Sequence, residues 1–126
     1  MKPSEIITPD HVRWVLGIEK KDIKINIYTT NIEFSELPDN TARYYEVDNI
    51  EPFMDIHCFI YLAIEKCAAE GWMIICRPRH GVVVRTAEYS SGSHKGFPMG
   101  DNDYPDMLHA QLAAIAWVYS KMQEGK

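Results

Sequence analysis

The residues able to do chemistry separate into a basic group and an acidic one. Arg77-Pro78-Arg79-His80-Gly81 is the densest basic spot, and Arg85 follows a few positions later. Guanidinium forks match the oxygens of phosphate and carboxylate in pairs. A turn holding Arg77, Arg79 and His80, with Arg85 returning on the next strand and Phe97 or Tyr89 as a stacking aromatic, is a candidate site for a nucleotide or small anion. The plainer reading of the same residues is a solvated hairpin turn. Residues 25–55 carry seven acids (Glu33, Glu36, Asp39, Glu46, Asp48, Glu51 and Asp55) against one base, Arg43. Residues 77–95 reverse the balance, with Arg77, Arg79, Arg85 and Lys95 against Glu88. An acidic stretch repels the nucleic-acid backbone, so direct nucleic-acid binding is not expected. The same charge attracts a basic protein surface, including one that ordinarily holds nucleic acid. Glu33, Glu36, Glu46 and Glu51 are the candidates for that role, and the plainer reading is a solvated face.

Metal and catalytic patterns are weaker. His80, His94 and His109, with Asp101, Asp103 and Asp106, supply ligand types. Asp101-Asn102-Asp103 opens like a calcium loop, but Pro105 intrudes and no Gly or distal Glu sits at the required spacing. Asp103 and Asp106 are explained by a helix N-terminus, where negative charge is favoured. His57 reads as structural. Ser90, Ser91 and Ser93 lie beside His94 without a nucleophile elbow. The adjacent His57 and Cys58 point in different directions on a helix. The Gly/Ser loop has neither the spacing of a phosphate loop nor a helix directly after it. The aromatics form no RNA-stacking motif, and Trp14, Trp72 and Trp117 read as core or helix–sheet contacts. Of the three cysteines, Cys58 and Cys67 stand nine residues apart on one helix and face opposite ways. An odd number without CxxC spacing reads as reduced, mostly buried thiols. No metal, cofactor or catalytic residue is assigned, and the chain reads as a binder, not an enzyme.

The elements that must position these residues follow from periodicity. Thr8-Pro9-Asp10 starts a short helix, with Val12, Val15 and Leu16 on one face and Gly17 at its end. Ile23-Lys24-Ile25-Asn26-Ile27 alternates as a half-buried strand, continued by Tyr28-Thr29-Thr30. Residues 32–37 form a second strand or an irregular edge, and Leu37-Pro38-Asp39-Asn40 is a turn. A strand over Arg43–Val47 leads to a helix capped by Asp48 or Asn49, with Pro52 in its first turn. Phe53, Ile56, Ile60, Ala63, Ile64 and Cys67 make that helix's apolar stripe, Phe59 widens it, and Gly71 ends it. Trp72–Cys76 and Val82–Ala87 pair as an antiparallel hairpin. Residues 88–100 form a long loop of the kind that often carries function. Asp103 caps a last helix that begins with Tyr104-Pro105-Asp106. Its buried face is Leu108, Leu112, Ile115, Tyr119 and Met122, bordered by Ala116 and Trp117.

These readings give an α+β fold in a single domain over residues 1–126. The expected architecture is a mainly antiparallel sheet of about four strands, two long helices packed on it, and a short N-terminal helix. The chain of 126 residues, 46% apolar and 25% charged, is long enough to bury a core without metals or disulfides. No apolar run reaches the roughly 18 residues of a membrane span. The N-terminal residues lack a signal-peptide pattern, so the chain is expected to stay in the compartment where it is made. A sheet edge or apolar patch left uncovered would leave room for a homodimer.

Three features together carry a family likeness. Arg43-Tyr44-Tyr45-Glu46-Val47-Asp48-Asn49-Ile50 leads into a helix. Glu70-Gly71-Trp72 passes from that helix into a strand. Leu108-His109-Ala110-Gln111-Leu112-Ala113-Ala114-Ile115-Ala116 closes the chain after a hairpin and a Gly-containing loop. Residues 43–122 so arranged resemble the phage α-β-α sandwich domain family, with residues 1–42 as additional N-terminal elements. Gln111 stands near the point where the family has an arginine. The resemblance implies a phage or prophage accessory protein of the bacterial cytoplasm, and taken with the acidic stretch it leads to the expectation that the protein binds and modulates a host protein. It brings over no catalytic residue.

Overall fold

The computed structural model of the chain describes residues 2–18, 23–36, 53–77, 81–86 and 104–124. The α+β class holds, with three α-helices and two antiparallel sheets among the described residues. A short 3-10 turn, Pro3–Glu5, precedes α1, Pro9–Leu16. β1, Ile23–Ile27, and β2, Asn31–Glu36, pair in register Ile25 to Phe34 and Ile27 to Ile32. β3, Phe53–Asp55, joins the other side of β2, with Ile32 opposite Met54. α2, Ile56–Ala69, leads to the hairpin of β4, Trp72–Arg77, and β5, Gly81–Thr86. α3, Met107–Glu124, closes the fold.

α1 is bounded as its residues require. Thr8 is extended, Pro9 occupies the first helical position, and Gly17 stands at φ 70° in the left-handed region. His11 Nδ1 accepts the Thr8 N–H at 2.7 Å, taking the part that Glu or Gln plays in a capping box. Gly71, at φ 90°, ends α2 in the same left-handed manner as Gly17 ends α1.

Two helix starts differ from expectation. Phe53 is not in a helical stripe; it pairs with Glu33 in the sheet, and Asp55 caps α2 instead of Asp48 or Asn49. The reason is local. The Asp55 carboxylate accepts the His57 N–H at 2.9 Å, and the Ile56 N–H donates to Thr30 O at 2.9 Å. That second bond anchors the start of the helix to the turn between β1 and β2. α3 likewise starts later than Tyr104. Asp106 is its cap, accepting the His109 N–H on its carboxylate at 2.9 Å and the Ala110 N–H on its carbonyl at 3.2 Å. The strand at 43–47, the turn at 37–40, Pro52, Asp103 and the loop at 88–100 lie outside the described residues.

Among the described residues the strands lie in two antiparallel sheets, of three and two strands, where one sheet of about four strands was expected. α2 intervenes between β3 and β4, and the hairpin that follows pairs with itself. α2 packs on β4, α3 packs on both strands of the hairpin, and the two helices pack on each other. α1 lies on α2 and β1. One core joins everything: Ile23, Ile25, Ile32 and Phe34 of the first sheet, Ile56, Phe59 and Ala63 of α2, Ile74, Val82 and Val84 of the hairpin, and Leu112, Ala114, Ile115 and Val118 of α3. The tryptophans border this core. Trp72 and Trp117 meet edge to face, as do Trp14 and Tyr119.

Candidate binding surface

The three-stranded sheet has one face in the core and one toward solvent, as its alternation dictates. Ile23, Ile25, Ile32 and Phe34 are buried, while Lys24, Tyr28, Phe53 and Asp55 are exposed. The register arranges the solvent face in rows. Asn26, Glu33 and Phe53 lie side by side across β1, β2 and β3. One row along, Asn31 stands opposite Asp55 on one side and accepts the Tyr28 N–H at 2.8 Å on the other. Lys24 and Ser35 form a third row. Tyr28 is 53% and Phe53 59% exposed, large values for aromatic side chains on a sheet. Phe53 stands on β3 and Tyr28 just past the end of β1, roughly 10 Å apart across the sheet and 7 Å along it, with Glu33 on the strand between. A carboxylate between two exposed aromatics is a contact surface. Aromatics supply area at low entropic cost, and the carboxylate supplies charge selectivity.

Of the acidic candidates, Glu33 is half-buried in this face, and Glu36 ends β2 opposite Ile23. Glu46 and Glu51 lie outside the described residues. The basic candidates are less concentrated. Arg77 ends β4, while Arg85 stands opposite Met73 near the far end of the hairpin. The two begin four register steps apart, about 13 Å along the strands. Arg79, His80, His94 and Phe97 lie outside the described residues. Arg85 Nε and Thr86 Oγ1 are buried without a hydrogen-bond partner among the described residues. By register these two side chains leave opposite faces of the hairpin, so they do not converge on one ligand.

Among the described residues no three His, Cys, Asp or Glu side chains gather as a metal site. His109 is buried, and its Nδ1 is within hydrogen-bond distance of the Asp106 carboxylate. The His109 backbone and ring hydrogen bonds hold the Asp106 carboxyl below the usual carboxylate range. Both residues are among the six candidate ligands the sequence supplies, and here they anchor a helix start, as expected for Asp106. Burial lowers the His11 pKa, with Asp10 opposing, which suits a ring whose Nδ1 is an acceptor. Desolvation pushes the Cys67 thiol up to about 12, so it stays an unreactive core thiol. Cys58 and Cys76 are exposed, contrary to the expectation of mostly buried cysteines. Cys76 Sγ accepts from Gln111 Nε2 at 3.1 Å. His57 is exposed on α2.

Among the described residues, open depressions lie at two places. One, of about 410 Å³, lies over the seam of α1 and α3 beside Arg13, Trp14 and Tyr119. The Arg13 guanidinium there is already engaged, donating to Ile23 O at 3.2 Å and facing Asp10 at 3.5 Å. The other, of about 310 Å³, runs along β1 from Ile25 to Tyr28, walled by Ser4, Ile7, Thr8 and Pro9.

Tyr28 and Phe53 were not among the sequence candidates. The signal for Tyr28 was present, because it continues the phase of Lys24 and Asn26. The signal for Phe53 was masked, because its spacing to Ile56 and Ile60 fits a helical stripe equally well. Comparison of the chain with family models, with curated proteins and with solved structures finds no match.

Proposed function

We propose that this protein is a binding module that engages a basic surface on a bacterial host protein through the solvent face of its three-stranded sheet. The observation that carries this reading is the row of Asn26, Glu33 and Phe53, with Tyr28 exposed on the neighbouring row. Charge supports it as well: the formal net charge is −5, and residues 25–55 hold most of the local excess of acid. The likeness of residues 43–122 to the phage sandwich family supports a phage or prophage accessory role in the bacterial cytoplasm, with modulation of the bound protein as its outcome.

The test is native mass spectrometry on the protein recovered from bacterial lysate at low ionic strength, where charge contacts are least screened. Wild type is expected to retain a host protein at fixed stoichiometry, and Glu33→Lys and Phe53→Ser each to lose it while remaining folded by circular dichroism. Retention of the same protein by both variants would remove the sheet face from the reading. Retention of a nucleotide-sized mass, lost in Arg85→Ala, would put the anion-binding alternative in its place.

A further inference from the structure

The hydrogen-bond phase of β1 exposes a second kind of recognition. The Tyr28 N–H bonds Asn31 O at 2.8 Å, which makes these two a hydrogen-bonded pair. Antiparallel ladders alternate, so Asn26–Glu33 and Lys24–Ser35 are hydrogen-bonded pairs too. The backbone N–H and C=O of Ile23, Ile25 and Ile27 therefore point away from β2. The structure bears out this phase independently: Ile23 O lies on that outer side and accepts from the Arg13 guanidinium at 3.2 Å. Beyond Ile23 the edge has no strand beside it among the described residues. Ile25 and Ile27 are left with outward donors and acceptors that no described residue meets.

The segment facing this edge does not satisfy it. The Glu5 N–H bonds Lys2 O, those of Ile6 and Ile7 bond Pro3 O, the Thr8 N–H bonds His11 Nδ1, and Pro9 has no N–H. From Glu5 to Pro9 every backbone donor is used within residues 2–11, away from β1. Between this wall and β1 lies the groove of about 310 Å³ lined by Ser4, Ile7, Thr8, Pro9 and residues 25–28. No charged side chain lines it.

We propose that the outer edge of β1 docks an extended segment of a partner protein, which adds to the sheet as a further strand on Ile25 and Ile27. Ile25 and Ile27 are about 7 Å apart, so a segment of a few residues meets all four outward groups. The uncharged lining selects a stretch of uncharged side chains, and the Arg13 bond to Ile23 O limits the ladder at that end. A second copy of the chain is a poorer occupant, because its own β1 would bring its own Ser4–Pro9 wall into the groove. This inference is separate from the sheet-face reading: it uses backbone groups on the edge, and its binding is insensitive to salt where the other is not.

The experiment selects binders from a displayed library of random linear peptides and maps the tightest by amide NMR. The expected peptide shifts the Ile25 and Ile27 amides, protects them from hydrogen exchange, and binds equally at low and high salt. Ile27→Pro removes an outward donor without taking a bond from the β1–β2 ladder. It is expected to weaken the peptide at least about tenfold, the equivalent of one lost hydrogen bond. Ser4→Trp, which fills the groove and leaves β1 untouched, is expected to do the same and decides the matter if Ile27→Pro does not fold. Glu33→Lys should leave peptide affinity unchanged, which keeps this outcome distinct from that of the sheet face. The proposal is overturned if no peptide is selected, if selected peptides bind both groove variants at wild-type affinity, or if the Ile25 and Ile27 amides are already protected in a dimer of the free protein.

Discussion

Asp106 stands just before α3 and bonds both the backbone and the ring of His109. Its carboxylate takes the His109 N–H at 2.9 Å and also meets the His109 ring, so one residue closes the open donors of α3 and orients a buried imidazole. Both bonds favour the charged form, which is why its pKa falls below the ordinary value. A depressed carboxyl contributes stability that is full above the unfolded pKa and is lost as pH falls through the folded one. Asp106→Ala is expected to cost about 1 kcal/mol at pH 7, held to that size because the side chain is largely exposed and screened. Chemical denaturation of wild type and variant should show this difference shrinking as the pH drops below about 4, the ordinary carboxylate range. A difference that is constant through acid would mean that packing around His109, not charge, sets the effect. The cysteines show the same dependence of chemistry on placement: Cys67 is sealed in the core, while Cys58, nine residues earlier on the same helix, faces solvent.

Elements with chemical punctuation at both ends were legible in the sequence. α1 runs from the Thr8-Pro9 start to Gly17, β1 from Ile23 to Ile27, and the β4–β5 hairpin sits where its two apolar runs placed it. Gly71 ends α2 with φ 90°, and a Cβ built there would meet nothing within 4 Å. Gly71→Ala is therefore expected to cost roughly 1–2 kcal/mol through left-handed backbone strain alone. A thermal melt showing no loss would mean that the turn relaxes to a negative φ. Less legible were elements whose pattern fits two periods or none. Phe53, Ile56 and Ile60 satisfy helical spacing, yet Phe53 belongs to β3, because strand pairing with Glu33 is a long-range interaction that local spacing does not encode. The buried face of α3 is wider than its stripe. Leu112 and Ile115 are fully buried as the spacing predicts and Leu108, Tyr119 and Met122 are half-buried, but Ala110, Ala113, Ala114 and Val118 are buried as well, together with His109. α3 packs against α2 and against both hairpin strands, so its small residues are covered on several sides. The binding face shares this limit. Glu33 was legible as charge, but its place between Asn26 and Phe53 exists only once β3 has paired with β2.

At the scale of the whole molecule, two separate sheets share one core. Ile32 is fully buried in the three-stranded sheet and Ile74 is 8% exposed in the hairpin, and both belong to the same apolar cluster through α2 and α3. Among the described residues neither sheet has a second layer of its own. Each depends on the helices, and the helices depend on each other, so partial unfolding of one sheet would expose the helix faces that support the second. The molecule should therefore unfold in one cooperative step. Ile32→Ala and Ile74→Ala are each expected to cost roughly 2–5 kcal/mol by leaving a cavity. Each should lower a single transition that far-ultraviolet circular dichroism and tryptophan fluorescence report at the same denaturant concentration, since Trp14, Trp72 and Trp117 sit on α1, β4 and α3. The double variant should lose nearly the sum, because the two sites lie in different sheets. Against a total stability of about 5–15 kcal/mol for a domain, that loss brings the protein close to unfolding without denaturant. Two separated transitions, with Ile32→Ala moving only one of them, would show instead that the sheets fold as independent units. A binding face on the first sheet would then be free to loosen without disturbing the hairpin. In a single cooperative unit it is held by α1 on β1, α2 on β3 and the shared core, and so presents Tyr28, Glu33 and Phe53 to a partner in a fixed arrangement that costs little further ordering on binding.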